Sequence, residues 1–331
     1  MNFSLIICTY MRPKALCQLL NSVKLQTLYP DEILIIDGST NVETEKALKQ
    51  HSYQNLTYYL VPSEERGLTR QRNYGIGKVC GTTEIVCFLD DDTVLEPNYF
   101  KELINTYTVY PDSLGAGGYI SNEVVWKKLQ PNQAPSLNEF AYDGWGRKDG
   151  SRFLLRKKLG LDSNLPPAYF PEFGHGRSVS FLPPSGKTYQ TQQLMGGVSS
   201  FKMEVFDKLK FSTYFEGYGL YEDADFTLRV SKTGKLYVNT AARLGHFHEE
   251  SGRPDTYKYG KMVVRNGWYV WRVAYSNPSL KAKLKWHSIS FLLTLIRFGN
   301  ALSGPKRKAA FMEALGRVVG WWSLWYNKPK K

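Results

Sequence analysis

The sequence predicts an α/β fold, a Rossmann-like, mostly parallel sheet flanked by helices and followed by a helical C-terminal extension. Three observations carry that prediction. In the first hundred residues, short β-rich apolar runs alternate with longer stretches whose apolar residues recur at helical spacing. Strands and helices alternating at this spacing imply a parallel sheet with helices on both faces. The last eighty residues read as helix.

The elements follow in order. "FSLIIC" (3–8) is a strand and "RPKALCQLLNSVKLQ" (12–26) a helix, in which Leu16, Leu19, Leu20 and Val23 share a face and Pro13 occupies the tolerant first turn. "EILIID" (32–37) is the second strand, "VETEKALKQH" (42–51) the second helix and "LTYYLV" (56–61) the third strand. "TRQRNYGIGKVC" (69–80) is the third helix and "EIVCFLD" (84–90) the fourth strand. Ligands of such sheets bind beyond the carboxyl ends of the strands, where Thr9, Asp37 and Asp90–Asp92 fall. Residues 127–194 are rich in Pro, Gly and aromatics and lack periodicity, as functional or mobile segments do. "LMGGVSSFKMEVFDKL" (194–209) resumes order with a strand-like turn and a short helix. In "GYGLYEDADFTLRVSKTGK" (217–235) a helix opening near Tyr221 puts acids in its first turn, which suits the helix dipole. In 306–327, Phe311, Leu315, Val318, Trp322 and Trp325 line one face, with Glu313, Arg317, Gly320 and Asn327 opposite. "SISFLLTLIRFGNAL" (288–302) is apolar around most of its girth, with a narrow stripe of Ser290, Thr294, Arg297 and Ala301, and is too short and interrupted to span a bilayer.

Composition narrows the function. At 42% hydrophobic and 22% charged residues, the 331-residue chain has a real core and is not disordered. The N-terminus lacks the pattern of a signal peptide. Four cysteines at unrelated spacings suggest neither zinc nor disulfides, and reduced thiols suit the cytoplasm. The net charge of +13 raises nucleic acid and anionic membranes as partners. From residue 281 onward stand Lys281, Lys283, Lys285, Arg297, Lys306, Arg307, Lys308, Arg317, Lys328, Lys330 and Lys331 against Glu313 alone. These cations cluster beside tryptophans on an amphipathic helix, which favours an anionic membrane surface over nucleic acid.

Four groups could carry chemistry. Asp90, Asp91 and Asp92 follow a buried run; acids there repel unless a cation or ligand offsets them. Mg²⁺ or Mn²⁺ prefers carboxylate oxygens and substrate phosphates, and an Asp-x-Asp spacing aims alternate carboxylates at one point. "YEDADF" (221–226) supplies Glu222 and Asp223, either a solvated helix face or the source of a general base. His246 and His248 alternate at a strand end, where one imidazole could complete an oxygen-rich metal site. Arg66, Arg70 and Arg72 are surface charge or diphosphate contacts before a helix.

Taken in order, "LIICTYMRP", "IIDGST", "GLTRQRNYGI", "FLDDDT", "MGGVSSFKMEVF", "GYGLYEDADFTLRVSKTGK" and a following histidine closely resemble the inverting glycosyltransferases of family 2, over roughly residues 3 to 270. The resemblance implies the GT-A fold. It places Thr9 and Asp37 at the nucleotide base, Arg72 near the diphosphate and Asp90 near the ribose, with Arg66 and Asp91 counted among the donor-binding residues. It makes Asp92 a metal ligand with His246 or His248, and Asp223 the catalytic base, with Glu222 the second candidate. Trp145, Gly196 and Gly197 fall on the acceptor side. "IIDGST" has one acid where the family commonly has two.

The function implied is metal-dependent, inverting transfer of a sugar from a nucleotide-diphosphate donor to a hydroxyl of a glycan or lipid-linked acceptor. Surface polysaccharide synthesis at the inner face of the cell membrane is the expected setting. The expected division is a nucleotide-sugar half (1–95), an acceptor and catalytic half (96–255) and a basic, Trp-rich helical extension (256–331). A nucleotidyltransferase would share the acidic metal site but release pyrophosphate, and a non-catalytic carbohydrate-binding protein would not need Asp92 and Asp223 together.

Overall fold

The computed structural model describes residues 1–131, 135–215, 217–248 and 255–330. In chain order the first elements are β1 (Phe3–Thr9), α1 (Pro13–Lys24), β2 (Glu32–Asp37), α2 (Glu43–Lys49), β3 (Leu56–Leu60), α3 (Leu68–Ile76) and β4 (Ile85–Asp90). There follow β5 (Thr93–Leu95), α4 (Tyr99–Val109), β6 (Ser113–Ile120), β7 (Lys127–Lys128), β8 (Glu139–Tyr142), β9 (Trp145–Lys148) and α5 (Ser151–Lys158). The chain continues through β10 (Thr188–Thr191), β11 (Val198–Lys202), α6 (Glu222–Val230) and β12 (Lys235–His246). It closes with α7 (Thr256–Ala274), α8 (Leu280–Ser303) and α9 (Arg307–Tyr326).

The chain forms two compact units, the first from the described residues of 1–126 and 179–252, the second from those of 127–178 and 253–331. The main sheet of the first unit runs β10-β12-β6-β11-β4-β1-β2-β3, with β5 on β12. From β3 to β4 it is parallel, as the alternating pattern predicts. Beyond β4 it turns mixed, because β11 enters antiparallel between β4 and β6, while β12 runs parallel to β6. Leu5 and Ile7 of β1, Leu16, Leu19 and Leu20 of α1 and Phe100 and Leu103 of α4 are buried in its core. α3 lies close on β1 and β2 because Gly75 faces them; a Cβ there would meet Ile6 at 2.9 Å. The Gln71 side chain donates to the carbonyls of Thr9 (3.1 Å) and Ile36 (2.7 Å), fastening α3 across the strand ends. α3 stops at Gly77 rather than continuing to Cys80.

The second unit contains the three-stranded sheet β7-β9-β8, α5 and α7–α9. Much of the stretch read as irregular from sequence is therefore short strands and a helix. They are held by polar contacts that leave no apolar period: Arg177 pairs bidentately with Asp149 (3.0 and 3.1 Å) and bonds Asp162 at 2.8 Å. Trp145, flanked by glycines in "DGWGRKDG", is half-buried on β9 opposite Lys128 and Tyr142. Trp271 of α7 stacks on Trp286 of α8 with centroids 5.1 Å apart. α7 and α9 approach so closely that a Cβ at Gly260 would lie 2.1 Å from the Glu313 carbonyl oxygen. At this crossing Glu313, Arg317 and Gly320 of α9 are buried, whereas Phe311, Leu315, Trp322 and Trp325 are exposed. Among the described residues, no helix is long and apolar enough to cross a membrane.

Candidate active site

The carboxyl end of β4 sets the first acids in place. Asp90 pairs with Cys8 of β1, and its N–H donates to the Gly197 carbonyl at 3.1 Å. β11 thereby starts beside the end of β4, and Gly197 is forced to be small: a Cβ would sit 2.1 Å from Asp90 Oδ2. Gly196 is equally constrained, since its Cβ would meet Glu222 Oε1 at 2.5 Å and the Arg72 guanidinium at 3.0 Å. The glycine pair makes room for the charges.

Asp91 turns inward. Thr9 Oγ1 donates to it at 2.6 Å and Arg12 at 3.1 Å. Burial pushes its carboxyl up to about 6, against the opposing effect of Thr9 and Arg12. Asp92 faces the other way, 3.6 Å from Arg12 and 3.0 Å from His246 Nε2. That meeting is built by the backbone. β5, immediately after Asp92, pairs Thr93 with His246 of β12, and the Phe247 N–H donates to the Asp92 carbonyl at 2.9 Å.

Two residues after β6 hold the histidine from the other side. The Asn122 amide exchanges two 2.9 Å hydrogen bonds with the His246 backbone. Glu123 Oε1 lies 3.1 Å from His246 Nδ1 and 2.9 Å from His248 Nε2. Burial opposes charge on His246, but the hydrogen bonds to Asp92 and Glu123 outweigh it and push its pKa up to about 10. The histidines differ in one contact: both meet Glu123 Oε1 and their rings lie 4.0 Å apart, but it is His246 that reaches Asp92.

α6 brings the remaining acids. Tyr221 precedes it with φ 71°, a left-handed conformation that costs a tyrosine strain and turns the helix start into the cleft. Glu222, 5% exposed, bonds Arg72 at 2.5 Å. Burial pushes it up to about 8, although Arg72 pulls the other way. Arg72 is itself 3% exposed, 3.7 Å from Asp90, and packs on Phe211 and Phe88. Asp223 is the more open acid; its carboxylate accepts from the N–H of Ala224 (2.8 Å) and of Gly196 (3.2 Å). Burial raises its pKa, and these backbone bonds restrain the rise.

The structure gathers Thr9, Arg72, Asp90, Asp91, Asp92, Gly196, Gly197, Glu222, Asp223 and His246 into one region of the first unit. Asp37 is fully buried at the end of β2, its oxygens taken by the Ser39 N–H and the Tyr58 hydroxyl, both at 2.8 Å. Arg66 is exposed before α3, and Trp145 belongs to the second unit. Arg12, Asn122 and Glu123 were not anticipated. Arg12 could have been suspected as a cation directly after a strand whose end faces three acids; "NE" at 122–123 carries no such signal.

One carboxylate oxygen each from Asp90 and Asp92 and a ring nitrogen of His246 lie within 4.8 Å of one another, as do donors from Glu123, His246 and His248. The first set, oxygen-rich with one imidazole, fits Mg²⁺ or Mn²⁺.

Residues 4–164 match the sequence profile of the family described as Glycosyl transferase family 2. An uncharacterized glycosyltransferase, YwdF of Bacillus subtilis, is 29% identical over 238 residues, 70% of this chain and 69% of its own. The glucosyl-dolichyl phosphate glucuronosyltransferase of Haloferax volcanii is 28% identical over 130 residues, 39% of this chain and 41% of that enzyme, so the alignment spans less than half of the relative's length. Among solved structures, S. aureus TarS aligns with TM-score 0.50 at 16% identity, covering 93% of this chain and 46% of TarS. At that identity the likeness concerns the fold. Over residues 4–164 the chain is similar to glycosyl transferase family 2, and its fold is the GT-A fold.

Proposed function

We propose that the chain is a metal-dependent inverting glycosyltransferase, moving a sugar from a nucleotide-diphosphate donor to a hydroxyl of a glycan or lipid-linked acceptor in surface polysaccharide synthesis. One observation carries the reading: Asp90 lies against Gly197 while Asp223 accepts from the Gly196 N–H, so an acid of the candidate metal set and a candidate base flank a single dipeptide.

On this reading Asp90, Asp92 and His246 hold the cation, Mn²⁺ or Mg²⁺, which when bound offsets charge on the departing diphosphate. Glu123 keeps His246 turned so that Nε2 faces Asp92, as carboxylates behind metal-bound imidazoles commonly do. Thr9, Asp37, Asp91 and Arg66 belong to the donor side. Arg72, tied to Glu222, supplies a fixed positive charge beside Asp90. Asp223 takes the proton from the acceptor hydroxyl; it suits that role better than Glu222, which is more buried and engaged by Arg72. Direct displacement by that oxygen inverts the anomeric centre. Gly196 and Gly197 are assigned to the acceptor side. The division into donor half, acceptor half and extension belongs to the same reading. A lipid-linked acceptor suits a peripheral position on the inner face of the cell membrane.

The test is a donor screen by released nucleoside diphosphate, with Mn²⁺ or Mg²⁺ against EDTA, beside Asp92→Ala. Metal-dependent release from one nucleotide sugar, lost in the variant, supports the reading. Pyrophosphate release points instead to nucleotidyl transfer, and no metal-dependent nucleotide binding points to a non-catalytic protein.

A further inference from the structure

Two helices of the second unit leave large apolar side chains outside. A helix on a water-soluble domain buries its apolar stripe and exposes its polar one. α8 buries Ala282, Trp286 and Ile289 together with Ser290 and Thr294, and α9 buries Glu313, Arg317, Gly320 and Ser323 together with Ala310, Ala314 and Leu324. A polar seam joins them: Arg297 of α8 and Arg317 of α9 both reach Glu313 Oε1, at 3.0 and 2.8 Å. The cause is the crossing of α7 and α9, which the backbone contact at Gly260, Gly316 and Gly320 makes too close for large side chains.

The displaced apolar residues are left outside. On α9, positions 311, 315, 318, 322 and 325 recur at alternating spacings of four and three, one continuous stripe. Trp322 is 59% exposed and Trp325 70%. On α8 the stripe of Leu284, Phe291, Leu295 and Leu302 is likewise exposed. Phe298 and Phe311, 6.0 Å apart, join the two stripes into one surface. Contiguous apolar surfaces of this kind mark an interaction site.

The charges choose the occupant. Exposed Lys281 and Lys283 lie at the start of α8, Lys306, Arg307 and Lys308 at the α8–α9 junction, and Lys328 and Lys330 beyond α9. The sole side-chain carboxylate from residue 280 onward is Glu313, which is buried. A second copy docked on this face would set cations against cations. An anionic leaflet offers hydrocarbon for the stripes, phosphates for the cations and an interface that suits Trp322, Trp325 and Tyr326.

We infer that the exposed face of α8 and α9 docks in the plane of an anionic lipid leaflet, the two helices lying at the interface without crossing it. The inference specifies two helices and a face, and it stands independently of the reaction.

The test is flotation of the full chain with phosphatidylcholine vesicles, with and without phosphatidylglycerol, at low and high salt. Binding is expected to need phosphatidylglycerol and to weaken with salt. Trp322→Ser with Trp325→Ser is expected to lower partitioning by about tenfold or more, and Phe291→Ser with Leu295→Ser likewise. These side chains are exposed, and an unchanged melting temperature confirms that each variant folds. Nucleotide-sugar turnover with a water-soluble acceptor, measured in parallel, is expected to stay at the wild-type level, so failure of the lipid inference and of the catalytic reading are separable. Wild-type chain that does not float with anionic vesicles overturns the inference, as does unchanged flotation of both variants. A dimer in ultracentrifugation that the same substitutions dissociate, without vesicle binding, assigns the face to a second copy and overturns it too.

Discussion

Asp223→Asn tests the proposed chemistry most directly, because the structure allows the cost of the substitution to be separated from its effect on rate. Both carboxylate oxygens accept backbone N–H groups, from Ala224 at 2.8 Å and Gly196 at 3.2 Å. Asparagine retains one acceptor and turns an NH₂ toward the other N–H, a mismatch of about 1–3 kcal/mol. The neutral amide avoids burying a charge, which offsets part of that cost, so the variant should fold. Turnover should fall about 10²- to 10⁴-fold, which corresponds to about 3–5 kcal/mol in the barrier. Nucleoside diphosphate affinity, read by calorimetry, should stay within about twofold. The wild-type rate should rise with pH along a limb displaced above the ordinary carboxylate range, since burial raises Asp223 and only its ionised form accepts a proton. The variant's residual rate should lack that limb. Turnover within about threefold of wild type, or a limb unchanged by the substitution, would refute the assignment.

Other outcomes follow from the same geometry. Glu123→Ala should weaken Mn²⁺ binding about tenfold or more, measured by electron paramagnetic resonance without substrate, whereas Asp92→Ala should remove it. Gly197→Ala must displace the Asp90 carboxylate, and should cost about 1–3 kcal/mol in denaturant unfolding as well as metal affinity. His175 is held down at about 3, by burial first and then by Arg156 and Arg317. Its folded pKa lies below its unfolded one, so the neutral ring contributes stability that is present above about pH 6.5 and is lost as pH falls toward 3. Thermal unfolding across that window should show a loss of at most about 5 kcal/mol, and His175→Leu should flatten it.

The first half of the fold was legible because its strands and helices have different periods. The site was legible only as types of residue. That Asp92 meets His246 depends on Thr93 pairing with His246, a register decided by partners more than a hundred and fifty residues apart in sequence. That Gly197 must be glycine depends on where β11 enters beside β4. His246 and His248 are equivalent as letters; Glu123 meets both, and Asp92, brought to His246 by the β5–β12 register, distinguishes them. The three strands between 127 and 148 were hidden because polar contacts such as Lys127 with Glu139, rather than alternating apolar residues, hold that region. α9 is a different case. Its amphipathic pattern is real, but hydrophobic spacing reports that two faces differ and not which one is covered.

The close crossing of α7 and α9 also bears on how the protein is made. At Gly260 and Gly316 a Cβ would lie 2.1 Å from the opposite helix's carbonyl oxygen, so each helix completes the packing surface of the other. α9 ends at Tyr326. During synthesis α7 is translated before this partner, so the flank around Gly260 stays uncovered until α9 has been made. The second unit therefore closes after translation has passed residue 326. The two apolar stripes are assembled at that same late moment, so that a growing chain does not present the finished surface.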